Sequence, residues 1–131
     1  MAHKRRIAII GVSRDRSKFG NRAVRAYKAE GWQVYPVHPT AESIEGLPAY
    51  PNIETIPGTV ERASLYLPPE IGLTVLDGIA AKGVTDLYLN PGSESTEIIA
   101  KAQELGVRPI LACSIVEIGR SPVNPDRQGP T

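Results

Sequence analysis

One stretch limits the fold more than any other: Arg6-Ile7-Ala8-Ile9-Ile10-Gly11-Val12-Ser13-Arg14-Asp15-Arg16-Ser17-Lys18-Phe19-Gly20. A short apolar run without alternation stops at a glycine, and a polar, basic turn follows. An unbroken apolar run of this length suits a central parallel strand covered on both faces. The next residues, Asn21 to Glu30, can form a helix with Ala23, Val24, Ala26 and Tyr27 as its inward stripe. Strand, loop, then helix is the phosphate-holding half of a nucleotide fold, because the helix's free N–H groups and positive dipole end face the loop.

The rest of the chain repeats that unit. Three helical patterns end at a glycine that opens a strand, at Glu30-Gly31-Trp32, Lys82-Gly83-Val84 and Leu105-Gly106-Val107. Strands are expected at Arg6–Ile10, Trp32–Val37, Ala63–Leu67, Thr85–Leu89 and Val107–Ala112. They return roughly every 25 residues, the pace of βαβ units with right-handed crossovers. A helix over Pro69–Lys82 starts with proline in its first turn and turns Ile71, Val75, Leu76 and Ile79 inward. Another near Ser95–Leu105 buries Ile98, Ile99, Ala102 and Leu105. Between His38 and Pro57 the chain is too rich in proline for long elements, so a loop with one short helical turn is expected. These elements predict an α/β fold: a single-domain, Rossmann-like three-layer sandwich on a five-stranded parallel sheet in order 3-2-1-4-5. The domain covers residues 1–119. Residues 120–131, with Val123 their only aliphatic side chain, read as a disordered tail.

Composition removes several function classes. The 131 residues suffice for one core and not for two. A net charge of +1 gives no general case for nucleic acid or an anionic membrane, so any anion site is local. The single Cys113 excludes an internal disulfide and fits a reducing compartment. The apolar run behind the basic start is too short for a signal peptide or a spanning helix, so a cytoplasmic protein is expected.

A doubly wound sheet places its chemistry at the carboxyl ends of its strands. Here those ends are Gly11-Val12-Ser13, Val37-His38-Pro39, Leu67-Pro68-Pro69, Asn90-Pro91-Gly92 and Cys113. Only His38 and Cys113 titrate near neutrality, and neither has a partner evident in the sequence. Ser13 lacks a histidine or acid placed to activate it, and His38 lacks a second metal ligand nearby. The loops suit holding a ligand better than reacting with one. A dinucleotide fingerprint needs close glycines and an acidic residue ending the second strand. This chain has no glycine between Gly11 and Gly20 and ends that strand in His38-Pro39. A Walker loop is absent too. Arg14, Arg16, Lys18 and Arg22 supply cations around the first loop, while Val37, Pro39, Leu67 and Pro68 offer an apolar slot. A nucleotide carrying several phosphates satisfies both.

Taken together, Ile9-Ile10-Gly11-Val12-Ser13, Tyr35-Pro36-Val37-His38-Pro39, Gly46-Leu47-Pro48-Ala49-Tyr50-Pro51, Leu67-Pro68-Pro69 and the Cys113 segment resemble the small CoA-binding proteins of bacteria. The fold of that family also forms the CoA-binding domain of the succinyl-CoA synthetase alpha subunit. The resemblance runs over about residues 6 to 118. It implies that Gly11, Val12, Ser13, Arg14, Ser17 and Lys18 meet the phosphates of coenzyme A or an acyl-CoA. Val37, His38, Pro39, Thr40, Leu67 and Pro68 would frame the adenine and ribose, and Asn90, Pro91 and Gly92 would close the other side. The family often has a lysine where this chain has Thr40, and a basic residue where it has Leu67, so compensation falls to Arg14, Arg16 or Lys18. Ligase activity does not follow, because the phosphohistidine and nucleotide sites of the synthetase lie in other domains and subunits. The expected function is CoA binding without independent catalysis. Two other readings stand beside it: an NAD(P)-binding protein or small oxidoreductase, and a redox-regulated interaction module using Cys113. Cys113 is read either as a small core residue or as a thiol facing the crevice. A homo-oligomer or an unknown protein partner stays open.

Overall fold

The computed structural model describes residues 4–125. Its central sheet is made of β1 (Arg6–Ile10), β2 (Gln33–Val37), β5 (Arg62–Leu65), β6 (Asp86–Leu89) and β7 (Arg108–Leu111). A two-stranded ribbon, β3 (Ser43–Ile44) and β4 (Leu47–Pro48), and a 3-10 turn at Ile53–Thr55 fill the link from β2 to β5. The helices are α1 (Phe19–Ala29), α2 (Pro69–Ala81), α3 (Thr96–Glu104) and a single turn, α4 (Ser114–Glu117). All pairings in the main sheet are parallel.

Alternation along β1 explains the three layers. Ile7 and Ile9 face α1 and α4, where they pack with Ala23, Val24, Tyr27 and Ile115. Ala8 and Ile10 face the other way, toward Ile53 and Ile56 of the 3-10 turn, Leu76 and Ile79 of α2, and Ile98 of α3. Each of these core residues is at most 4% exposed, so β1 is covered on both faces as its unbroken apolar run requires. The inward stripe expected of α1 is buried throughout, and α3 is capped by Ser95, whose Oγ accepts from the Ile98 N–H at 3.2 Å.

The α/β class, the five parallel strands and the single Rossmann-like sheet match the sequence reading, but one detail of the strand order differs. The sheet runs β2-β1-β5-β6-β7, so its third major strand lies beside β1 and not outside β2. In the numbering of the expectation this is 2-1-3-4-5, the other common doubly wound order. The physical reason is the link from β2. It carries Ile53 and Ile56 onto the face opposite α1, so the chain crosses over β1 before entering β5. Two inward positions also differ. Ile71 is 48% exposed, and Gly72 occupies the inward place against Leu65 and Ile98. Leu105 lies at the helix end and is 36% exposed.

Within the expected tail, residues 120–125 lie against α1. Arg22 Nη1 donates to the Pro122 carbonyl at 3.0 Å, and Arg120 Nε donates to Glu30 Oε1 at 2.9 Å. Residues 1–3 of the basic lead-in and 126–131 of the tail fall outside the described residues.

Candidate functional site

With β5 beside β1, the switch point of the sheet lies between them, and a cleft of about 400 Å³ opens there. Gly11 and Ser13 form its floor, Lys18, Phe19 and Gly20 one side, Tyr66, Leu67 and Pro68 a second, and Pro91, Gly92 and Ser93 a third. Two glycines let these walls come so close. Gly11 has φ +94°, and a Cβ there would lie 2.7 Å from the Tyr66 carbonyl oxygen. A Cβ on Gly20 would lie 2.6 Å from the Gly11 carbonyl oxygen. The first turn of α1 therefore sits directly on the loop that leaves β1.

That helix start is open to an anion. Its N-cap, Lys18, supplies no side-chain cap, and no acidic residue stands in the first turn. The dipole's positive end and the orphan N–H groups are thus available to the cleft, with the Lys18 side chain at its wall. The preceding loop is held by its own hydrogen bonds. Asp15 Oδ1 accepts from the Ser17 N–H at 2.9 Å and from Ser17 Oγ at 2.6 Å. Those bonds hold the Asp15 carboxyl below its usual pKa. Ser13 Oγ accepts from the Asp15 N–H at 3.0 Å.

The expected cations separate into two groups. Lys18 lines the cleft. Arg14 instead donates to the Ser43 carbonyl at 3.2 Å, and Arg16 pairs with Glu45 at 3.4 Å, both in the β3–β4 ribbon. Arg22 donates to Pro122 and lies over the Phe19 ring. Ser17 is exposed on the loop, and Val12 is buried under it at 5% exposure.

The other strand ends are arranged as follows. Val37 is opposite Ile10 and buried, which puts the His38-Pro39-Thr40 turn on the flank of the Gly11 loop away from Leu67. His38 Nδ1 accepts from the Thr40 and Ala41 N–H groups at 3.1 and 2.9 Å, so the ring shapes this turn. None of these four residues lines the cleft between β1 and β5. Asn90 lies below the third wall and is 1% exposed. Its amide donates to Ser64 Oγ at 2.8 Å and the Leu65 carbonyl at 2.9 Å, and its Oδ1 accepts from the Ser114 N–H at 2.9 Å. Asn90 ties β5, β6 and α4 together and sets the position of Pro91 and Gly92.

A second chamber of about 250 Å³ adjoins the cleft. Phe19, Tyr66 and Pro91 line both spaces, and Cys113, Val116 and Pro122 complete the chamber wall with Asn90. Cys113 is half-buried at the start of α4, between the two positions foreseen for it. The Tyr66 hydroxyl lies 3.2 Å from Ser114 Oγ, and burial pushes its phenol well above the usual tyrosine range. Sequence reasoning missed Phe19, Tyr66 and Ser93. Each follows or precedes a recognised residue by one position, and the strand-to-loop boundary at Leu65 was the signal that would have found Tyr66.

Residues 5–119 match the family described as the CoA binding domain. The chain belongs to this family. As a CoA binding domain it is 30% identical over 117 residues to the alpha subunit of an ADP-forming acetate–CoA ligase II from Pyrococcus furiosus. That match takes in 81% of this chain and 26% of the subunit, so the domain spans about a quarter of the relative's length. Its fold matches a conserved hypothetical protein from Pyrococcus furiosus with a TM-score of 0.79 and 33% identity, over 86% of this domain and 98% of that chain. It also matches the dinucleotide-forming acetyl-coenzyme A synthetase 1 of Ca. Korarchaeum cryptofilum, in complex with phosphate and ADP. There the TM-score is 0.74 and the identity 30%, over 82% of this domain and 25% of the synthetase. All three relatives are archaeal, whereas the resemblance noted in the sequence was to bacterial proteins. Among the described residues no helix is long and apolar enough to cross a membrane.

Proposed function

We propose that this domain binds coenzyme A or an acyl-CoA in the cleft between β1 and β5 and has no catalytic activity of its own. The observation that carries the reading is the uncapped start of α1, set on the Gly11 loop of a chain that belongs to a CoA-binding family. The backbone of Gly11, Val12 and Ser13 and the first turn of α1 would hold the diphosphate, with Lys18 as the principal cation. Leu67 and Pro68 would flank the nucleotide on one side and Pro91 and Gly92 on the other. The adenine and ribose would extend across the strand tips toward Val37, His38, Pro39 and Thr40. Arg14 and Ser17 would shape the loop, and Asn90 would hold the third wall.

Binding without chemistry is supported by the distribution of polar groups. Buried Ser93, in the cleft wall, donates its hydroxyl to the Leu65 carbonyl, and Asn90, Ser64 and Ser114 behind it are bonded to one another, so none of them holds a proton poised for transfer. In the ligase relatives this domain makes up about a quarter of a longer chain, and delivery of CoA to a catalytic partner is the role that fits it. A cytoplasmic location follows from that role. Calorimetric titration of the purified chain with CoA and with dephospho-CoA tests the reading. Saturable binding of CoA at one site per chain is expected, weakened by about tenfold or more by Lys18→Ala. No heat with either compound would refute it.

A further inference from the structure

The chamber beside the cleft gives the proposed CoA site a substrate class. Its walls are almost entirely carbon: the rings of Phe19, Tyr66 and Pro91, the Val116 side chain and the Pro122 ring. Apart from the free Cys113 thiol, the polar side chains that reach it are already engaged. Asn90 has its amide and carbonyl bonded to Ser64, Leu65 and Ser114, and the Tyr66 hydroxyl is paired with Ser114. No lysine or arginine lines it. Arg22, which touches two residues of its wall, is committed to the Pro122 carbonyl and to the Phe19 ring. A ligand group entering here would lose its water and find no cation and no side-chain donor stronger than the Cys113 thiol. That penalises a carboxylate heavily and an aliphatic chain not at all.

Two further observations point the same way. Phe19 and Val116, both of which line the chamber, are 56% and 57% exposed. Large apolar side chains so exposed around one hollow mark a surface that a ligand covers. The chamber also adjoins the cleft, with Phe19, Tyr66 and Pro91 common to both linings, so a group reaching it can belong to the same molecule.

Building on the CoA reading, we infer that the chamber receives the acyl group of a thioester. The site then prefers CoA carrying a neutral aliphatic acyl group of a few carbons over free CoA. It discriminates against acyl groups that end in a carboxylate. Transfer of apolar area from water makes each methylene that enters the chamber worth roughly a fourfold gain in affinity.

The test is calorimetric titration of the full chain with CoA, acetyl-CoA, butyryl-CoA, hexanoyl-CoA and succinyl-CoA. Affinity should rise along the aliphatic series, with hexanoyl-CoA at least tenfold tighter than free CoA and succinyl-CoA no tighter than free CoA. Val116→Asp, a change at an exposed position, should bring the hexanoyl-to-CoA affinity ratio close to one. Equal affinity across the aliphatic series, a preference for succinyl-CoA, or an undiminished ratio in V116D would each overturn the inference while leaving CoA binding in place. Failure of every CoA compound to bind would overturn the CoA reading itself, and the inference with it.

Discussion

The contact between α1 and the Gly11 loop can be separated into its two physical parts with three alanine substitutions. Gly31→Ala introduces a side chain at φ +85° where nothing lies within 4 Å, so it reports backbone strain alone. A left-handed conformation costs an ordinary residue about 1–2 kcal/mol. Gly20→Ala has no such strain, but its methyl would lie 2.6 Å from the Gly11 carbonyl oxygen and 3.1 Å from the Val12 Cα. Both neighbours are backbone and cannot rotate away. Overpacking of this kind costs about 1–3 kcal/mol, offset by up to about 1 kcal/mol from alanine's better helix propensity. A net loss of about 1–2 kcal/mol is expected. Gly11→Ala combines φ +94° with a methyl 2.7 Å from the Tyr66 carbonyl oxygen, for a loss of about 2–5 kcal/mol. It also disturbs the strand-end bond in which the Tyr66 N–H donates to the Ile10 carbonyl at 2.8 Å. Urea denaturation followed by circular dichroism measures all three. The expected order of stability is wild type, then Gly31→Ala and Gly20→Ala, then Gly11→Ala as the least stable. A Gly20→Ala protein at least as stable as wild type would refute the close approach of α1 to the loop.

Three further outcomes are expected. Lys18→Ala should weaken CoA binding by about tenfold or more, as loss of a charge-assisted phosphate contact does, while Arg14→Ala should change it less than about threefold because its Nε serves Ser43; calorimetry with the reverse order would reassign the phosphate site. Asn90→Ala removes three buried hydrogen bonds and leaves the Ser114 N–H without its acceptor, so a loss of about 2–4 kcal/mol is expected in denaturant titration, and a loss under about 1 kcal/mol would show that the bonds are replaced. Burial is the main cause of the raised phenol pKa values of Tyr27, Tyr66 and Tyr88, so the folded state retains protons that the unfolded chain releases above about pH 10. Their contribution is complete below that pH and is lost as pH rises, by up to about 1.4 kcal/mol per pH unit for each tyrosine. Thermal melts across this range should fall less steeply for Tyr66→Phe than for wild type, and identical slopes would contradict the assignment.

The five main strands and three long helices were legible because their signals are local. The unbroken apolar run of β1, the proline opening α2 and the glycines after each long helix mark elements within a few residues. Strand order was less legible. Which side of β1 receives the third strand depends on the face over which the link from β2 passes, and that link has only a ribbon of two-residue strands and a 3-10 turn, with its core residues Ile44, Ile53, Ile56 and Val60 scattered without period. The four-residue α4 and the ribbon at Ser43–Pro48 are too short to show a periodicity. In the site, glycine and proline positions at the strand ends could be read, since they mark where a backbone turns. The commitments of the arginines could not. Arg14, Arg16 and Arg22 look alike in the sequence, and their partners at Ser43, Glu45 and Pro122 are distant along the chain. Likewise the hydroxyl and ring of Tyr66 gain meaning only when β5 is placed beside β1.

If the cleft between β1 and β5 holds CoA, the ligand must raise the thermal stability of the folded chain. The purified chain would be melted alone and with saturating CoA, NAD, NADP or ATP. A ligand at about a hundred times its dissociation constant adds about 2.7 kcal/mol to the folded state. For a domain of this size that is a rise of roughly 10 °C in melting temperature. That rise is expected with CoA, and a clearly smaller one with each of the others. A rise with NADP and none with CoA would contradict CoA binding in the cleft.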